Sequence, residues 1–208
     1  ADMAESAARD VDFQIFGALK NGAGAQNLCF DGMPYFSETH PAEFDEKGAA
    51  VANGATFSNL LVATGANAVQ GPAWVVACTS RQIKPVLYQE RKAPEFVAKT
   101  LLTDEGVFYN NEFTFGADKR DACGYTLPQL AVMSTLPLTA ANFAKAVALV
   151  ESAVGDKGVP LGICVTDLVV PTSLRTDAMT LLTADKIGNG GSNIWKDYCA
   201  LTVTSFMN

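Results

Sequence analysis

The first twenty residues repeat apolar side chains at helical spacing. Ala4, Ala8, Val11, Ile15 and Leu19 fall on one face, while Asp2, Glu5, Arg9, Asp10, Asp12 and Lys20 fall mostly elsewhere. Acidic residues lead and Lys20 trails, as the helix dipole prefers, and Asn21-Gly22 supplies a stop. A helix is therefore expected up to Lys20. Its pattern is already running at Ala1, so the chain reads as the C-terminal part of a longer protein. Residues 23–71 lose this periodicity and are rich in Gly, Ala, Asn and Ser. Leu28-Cys29-Phe30 predicts a short strand, Asp31-Gly32 a turn, and residues 57–62 a short helix; long loops fill the rest.

Residues 72–135 change character. Trp74-Val75-Val76-Ala77-Cys78 and Val86-Leu87-Tyr88 read as strands, with Pro85 where its missing N–H costs least. Residues 107–115 and 125–133 also look extended, and Glu112-Phe113-Thr114-Phe115 alternates as a half-buried strand does. Pro94 and residues 104–106 interrupt the run, and the segments together predict a long antiparallel sheet. Beyond residue 138 helix and strand patterns alternate. Thr139 suits the N-cap of a helix through Val154, with Phe143, Val147, Val150 and Val154 inward. Residues 163–170 form an apolar, branched strand closed by Pro171. A helix over 173–186, a flexible connector at 188–191 and a strand at 198–204 complete an α+β pattern.

Charge narrows the possible partners. Twenty-two acidic against 15 basic residues leave a net charge of −7, whereas polyanion-binding domains are normally basic. Sequence-specific nucleic-acid binding is not expected. Cys29, Cys78, Cys123, Cys164 and Cys199 are odd in number, lie far apart and form no CxxC pair, which fits buried, reduced thiols. No apolar run is long enough for a membrane span. The single histidine, His40, closes off sites that need two.

The candidate chemistry is thin. Cys29 and His40, with Asp31 and Glu38 nearby, supply the groups of a thiol nucleophile and its base. The weightier reading makes Cys29 a buried apolar residue and His40 a loop residue with a local hydrogen bond. Glu90, Glu95, Asp104, Glu105 and Glu112 show no spacing that fixes an acid–base pair, and Asp45-Glu46 and Asp156 fit no EF-hand. The glycine-rich stretches match neither phosphate-binding fingerprint. Arg81, Lys84, Glu90, Arg91 and Lys92, with Lys119 and Arg120 further on, concentrate charge near Tyr88. Given the net charge, this strip reads as a contact with neighbouring copies of the chain or as a solvated strand edge.

Several ordered segments together resemble one family. They are Cys29-Phe30-Asp31-Gly32 with Pro34, Tyr35, Phe36 and His40-Pro41; Ser80-Arg81 with Ile83-Lys84-Pro85; Tyr88-Gln89-Glu90-Arg91-Lys92 with Pro94-Glu95; Val107-Phe108 with Asn111-Glu112-Phe113 and Phe115-Gly116; and Gly124-Tyr125 with Gln129-Leu130-Ala131. Leu138-Thr139 with Asn142, and Val169-Val170-Pro171 with Leu174, follow. From Met3 to Phe206 this order is similar to the Mu-type phage major head subunit, the gpT family. Leu127-Pro128 departs from it, since a bulky aromatic pair is usual before the Gln.

The resemblance implies an HK97-like capsid fold, truncated to the end of the spine helix, a peripheral-domain sheet and an axial-domain lobe. Residues 1–136 would hold the helix end, loops and sheet, and 137–208 the axial-like lobe, as one intertwined unit. It further implies a structural role without cofactor or catalysis: pentamers and hexamers of the chain form the shell of a virion head, assembled in the bacterial cytoplasm, with scaffold or decoration proteins as further partners. Arg81, Lys84, Glu90, Arg91 and Lys92 are the expected subunit contacts. The rival readings are a small cysteine hydrolase using Cys29 and His40, and a phage or host adaptor using the 38–71 loop.

Overall fold

A computed structural model describes residues 2–52, 54–63, 70–155, 158–186 and 190–208. Helix α1 spans Asp2–Asn21 and ends against Gly22. The Phe36 ring lies so close to Gly22 that a β-carbon there would sit 2.7 Å from it, so the turn requires glycine. Only the last turns of α1 are covered: Leu19 is buried and Val11 and Ile15 are half-buried, while Ala4 and Ala8 are exposed.

The body is a five-stranded mixed sheet. Its strands are β3 (Leu60–Leu61), β4 (Trp74–Ala77), β7 (Ala131–Ser134), β8 (Asp167–Pro171) and β9 (Ala200–Thr204), in the order β3-β7-β4-β8-β9. β4, β7 and most of β8 are buried on both faces, which is why they read as continuous apolar runs. Trp74, Val76, Val132, Leu168 and Val170 face helices α3 (Ala140–Glu151) and α4 (Arg175–Thr183). Val75, Ala77, Ala131, Met133 and Val169 face Leu19, Tyr35, Phe36 and Met207. A two-residue pair, β1 (His40–Pro41) with β2 (Thr56–Phe57), lies among the loops.

The remaining strands, β5 (Val86–Lys99) and β6 (Thr114–Tyr125), form a separate antiparallel hairpin. At about 3.3 Å per residue its 14-residue arm is roughly 45 Å long. Pro94 does not break β5. It falls where the register shifts between Lys92 and Glu95, a bulge that tolerates its missing N–H.

Several expectations are corrected. The single long antiparallel sheet is two sheets, because β4 pairs with β7 and β8 and not with the hairpin. Of residues 107–115 only Thr114 and Phe115 are strand, as the start of β6. Helix α2 (Glu105–Asn110) occupies the hairpin tip, where Asp104 accepts from the Leu101 amide at 3.0 Å and Asn111 closes the helix at φ 55°. Phe113 and Phe115 are exposed, not half-buried. The stretch 125–133 is broken by a 3₁₀ turn at Pro128–Leu130. Residues 57–62 contain strand ends, not a helix; the Asn59 side chain makes three hydrogen bonds, and its backbone amide and carbonyl, which a helix would need, pair with the Ser37 carbonyl and the Met133 amide.

Boundaries move for local reasons. Thr139 does cap α3, accepting from the Asn142 amide at 3.3 Å, but the helix stops at Glu151, and Val154 turns outward to bridge Pro160. β8 begins only at Asp167, since Arg81 donates to the Leu161 and Gly162 carbonyls and holds them as a loop. α4 ends at Thr183 because the buried Asn193 amide donates to the Leu181 and Ala184 carbonyls. The last strand starts at Ala200. Residues 188 and 189 of the expected connector at 188–191 lie outside the described residues.

Candidate functional site

Cys29 and His40 are both buried beneath the loops, and neither is poised for catalysis. His40 Nδ1 lies 2.6 Å from Asp31 Oδ2 and Nε2 lies 3.1 Å from the Tyr35 carbonyl. Both ring nitrogens are engaged, so no lone pair is free to take a thiol proton. The Cys29 thiol donates instead to the Thr126 carbonyl at 3.1 Å, and burial pushes its pKa up, away from the thiolate.

What these residues do is hold an irregular segment together. Asp31 Oδ1 accepts from the Met33 amide at 3.0 Å across the turn at Gly32, whose φ is +78°. Asn59 accepts from the Ser37 amide at 2.8 Å and donates to the Tyr35 and Pro128 carbonyls at 2.8 and 3.0 Å. His40 stacks on Phe57, and Tyr35 stacks on Tyr125 at 4.6 Å. A stretch with few helical or strand hydrogen bonds thus satisfies its buried polar groups through side chains. Among the thiols, Cys164 is exposed while Cys29 and Cys78 are buried. Alkylation of the folded chain near neutral pH is expected at Cys164 first, with Cys29 and Cys78 untouched until denaturant is added. Peptide mass spectrometry reads this, and early Cys29 labelling would contradict the buried role.

The expected contact charges divide. Arg81 is used inside the chain, donating to Leu161 and Gly162, and Lys84 donates to the Thr79 carbonyl. Lys92 bridges Glu95 at 2.8 Å and Asp118 at 2.6 Å across the irregular part of the hairpin. Those two carboxylates raise its pKa, hydrogen bonding to Asp118 first. Glu90 and Arg91 are exposed, with no ion-pair partner among the described residues.

The sequence reading missed the hairpin tip. Leu101, Leu102, Phe108, Tyr109 and Phe113 are 58–81% exposed there, gathered by α2. Sequence held one signal for it: Leu101-Leu102, Asp104 and Phe108-Tyr109 form a helix-start pattern with apolar flanks. An exposed apolar group of this kind marks a contact surface.

The family model for the Mu-like prophage major head subunit gpT matches residues 1–207. The major capsid protein of Escherichia phage Mu is 36% identical over 99% of this chain and 66% of its own length. The Mu-like prophage FluMu major head subunit of Haemophilus influenzae is 35% identical over 87% of this chain and 57% of its own. The chain therefore spans just under two thirds, or less, of these relatives. A chain from the procapsid of bacteriophage JBD30 superposes with a TM-score of 0.81 at 35% identity, over 99% of this chain and 66% of that one. A JBD30 capsid chain, at 22% identity, gives a TM-score of 0.83 over 100% and 66%, a likeness of fold.

Proposed function

This chain belongs to the Mu-like prophage major head subunit gpT family, and on that premise we propose that it is a shell-forming subunit of a phage or prophage head. The α+β, HK97-like capsid fold expected from sequence is that of its structural neighbours. The family is one of structural subunits, not of enzymes. Many copies assemble as pentamers and hexamers around packaged DNA, in the virion head and, before release, in the host cytoplasm. In this reading, residues 1–136 supply the peripheral-like hairpin and 137–208 the axial-like lobe. They are intertwined because β4 and β7 from the first part complete the sheet of the second.

The observation that carries the reading, beyond family membership, is the apolar hairpin tip. Five large side chains at the end of a long arm have no covering partner within the described chain. A second copy is the partner a shell supplies in abundance. One tip contact can be weak, since closure of the shell multiplies it. Glu90 and Arg91, on the same arm, are suited to selecting register, while Arg81, Lys84 and Lys92 shape the surfaces from within.

The test is negative-stain electron microscopy of the full-length protein, expressed alone and with its neighbouring phage genes, beside an L102D/F108D double variant. Shells, tubes or capsomer rings are expected for the unaltered protein. The variant is expected to keep its circular dichroism spectrum and to lose assembly. Uniform small particles in every unaltered preparation would overturn the reading.

A further inference from the structure

The root of the hairpin packs Val86 and Tyr125 into the apolar cluster that holds Leu19 of α1, and the Tyr125 hydroxyl donates to the Ala18 carbonyl at 2.8 Å; further along the arm the two elements are joined by a polar cluster. Lys119 on β6 projects towards the helix. Its ammonium lies 2.8 Å from Asp10 of α1, 2.5 Å from Asp121 of its own strand and 3.5 Å from the Ala7 carbonyl. Gln14 of α1 donates to both Asp10 and Asp121, at 2.7 and 2.8 Å. From β5, Tyr88 donates to Asp121 at 2.6 Å, and its ring centre lies 5.6 Å from the ammonium. Lys119 and Asp121 are 15% and 12% exposed. Hydrogen bonding to Asp10 raises the Lys119 pKa, and hydrogen bonding from Lys119 lowers that of Asp121. Lys119 and Asp121 therefore stay charged around neutrality.

Space surrounds this cluster on both sides. A cavity of about 440 Å³ separates Met3 and Ala4 from Phe96, Val97 and Phe115, towards the tip. One of about 200 Å³ lies between Ile15, Phe16 and Leu19 and the hairpin root at Pro85 and Val86. Closely packed side chains fix the root of the hairpin, whereas further along the arm the hold on α1 rests on this cluster, with open clefts beside it. Directly opposite residues 118–121, the two register shifts flanking Lys92 interrupt the regular ladder of the arm.

We infer that Lys119, held between Asp10 and Asp121, is a latch on which the hairpin pivots against α1, setting the direction in which the tip points. The use of this latch rests on the head-subunit reading: a subunit that meets its neighbours at more than one angle needs an arm that turns without unfolding its body. The latch itself does not depend on that reading. Lys119→Met leaves Asp10 and Asp121 facing each other with only Gln14 between them, so like charges push the arm off the helix. Asp10→Asn removes only the ion pair that crosses the joint, leaves Lys119 with Asp121, and has the smaller effect.

The test is pulsed electron spin resonance on the full chain, with labels on p-acetylphenylalanine at Asp12 and Thr114, both exposed and outside the cluster. The unaltered chain is expected to give one narrow distance distribution. Lys119→Met is expected to roughly double its width or add a second peak, with Asp10→Asn intermediate. The near-ultraviolet dichroism of the tryptophans in the body stays unchanged. An unchanged distribution in Lys119→Met overturns the latch; should that variant lose the tryptophan signal, Asp10→Asn decides by the same criterion. Electron microscopy of the unaltered protein is scored separately, so absence of shells removes the head-subunit reading and leaves the distance result standing.

Discussion

Replacing His40 with alanine is expected to destabilise the chain by about 3–5 kcal/mol, because it leaves a buried carboxylate without its partner. The side chains of His40 and Asp31 are 0% and 1% exposed. Both atoms facing the ring, Asp31 Oδ2 and the Tyr35 carbonyl oxygen, are acceptors. The ring is bracketed by these two oxygens, so removing it strips a hydrogen-bond partner from each. Removing the ring also vacates the stack on Phe57 and frees β1 from β2, so the 23–63 segment loosens first. Urea unfolding measures the loss. The double variant D31A/H40A should cost less than the sum of the single changes, since neither buried polar group is then left facing a missing partner. A His40→Ala midpoint shift worth under about 1 kcal/mol would show that the pair is not a fixed element of the core.

The other large effect is expected at Phe143, where alanine should cost about 3–5 kcal/mol through lost burial and the cavity left behind. Phe143 is fully buried and fastens α3 to the sheet. Trp195 meets it edge-on at 5.0 Å and Tyr198 at 6.2 Å, so the cavity would open beneath the connection to β9. Those aromatics are anchored in turn, through the Trp195 amide on Asn193 and the Tyr198 hydroxyl on Glu151, and cannot easily collapse inward. Guanidinium unfolding of the isolated chain is the measurement. The contrast is Phe113, which is 58% exposed at the tip. Phe113→Ser should change stability by no more than about 0.5 kcal/mol while weakening assembly. If both substitutions cost the same, the division between a folding core and a contact surface fails.

How much was legible depended on whether local pattern and burial coincided. Thr139 and the spacing of Phe143, Val147 and Val150 announced α3, and the branched run before Pro171 announced β8. In both, the residues that favour the element are those that bury it. Pattern misled at 107–113, where aromatic alternation suggested a strand but Asp104 and Asn111 close a short helix that buries Val107 and leaves Phe108 and Tyr109 exposed. It also misled at 57–62, where tertiary hydrogen bonds made by the Asn59 side chain override local preference. The five charges were read as one strip, although three of them are consumed within the chain.

The sequence by itself determined the fold class, the helix at the start, the apolar runs of the central strands, and family membership through an ordered set of short segments. These are properties of composition, period and order, and each can be read without knowing what lies opposite. Tertiary structure alone decided that the hairpin is a separate arm, that His40 serves Asp31 and not Cys29, and that Lys119 joins Asp10 across 109 positions of chain. Such pairings arise when the chain folds back on itself. A side chain's partner is then set by which elements meet, and no local spacing records that.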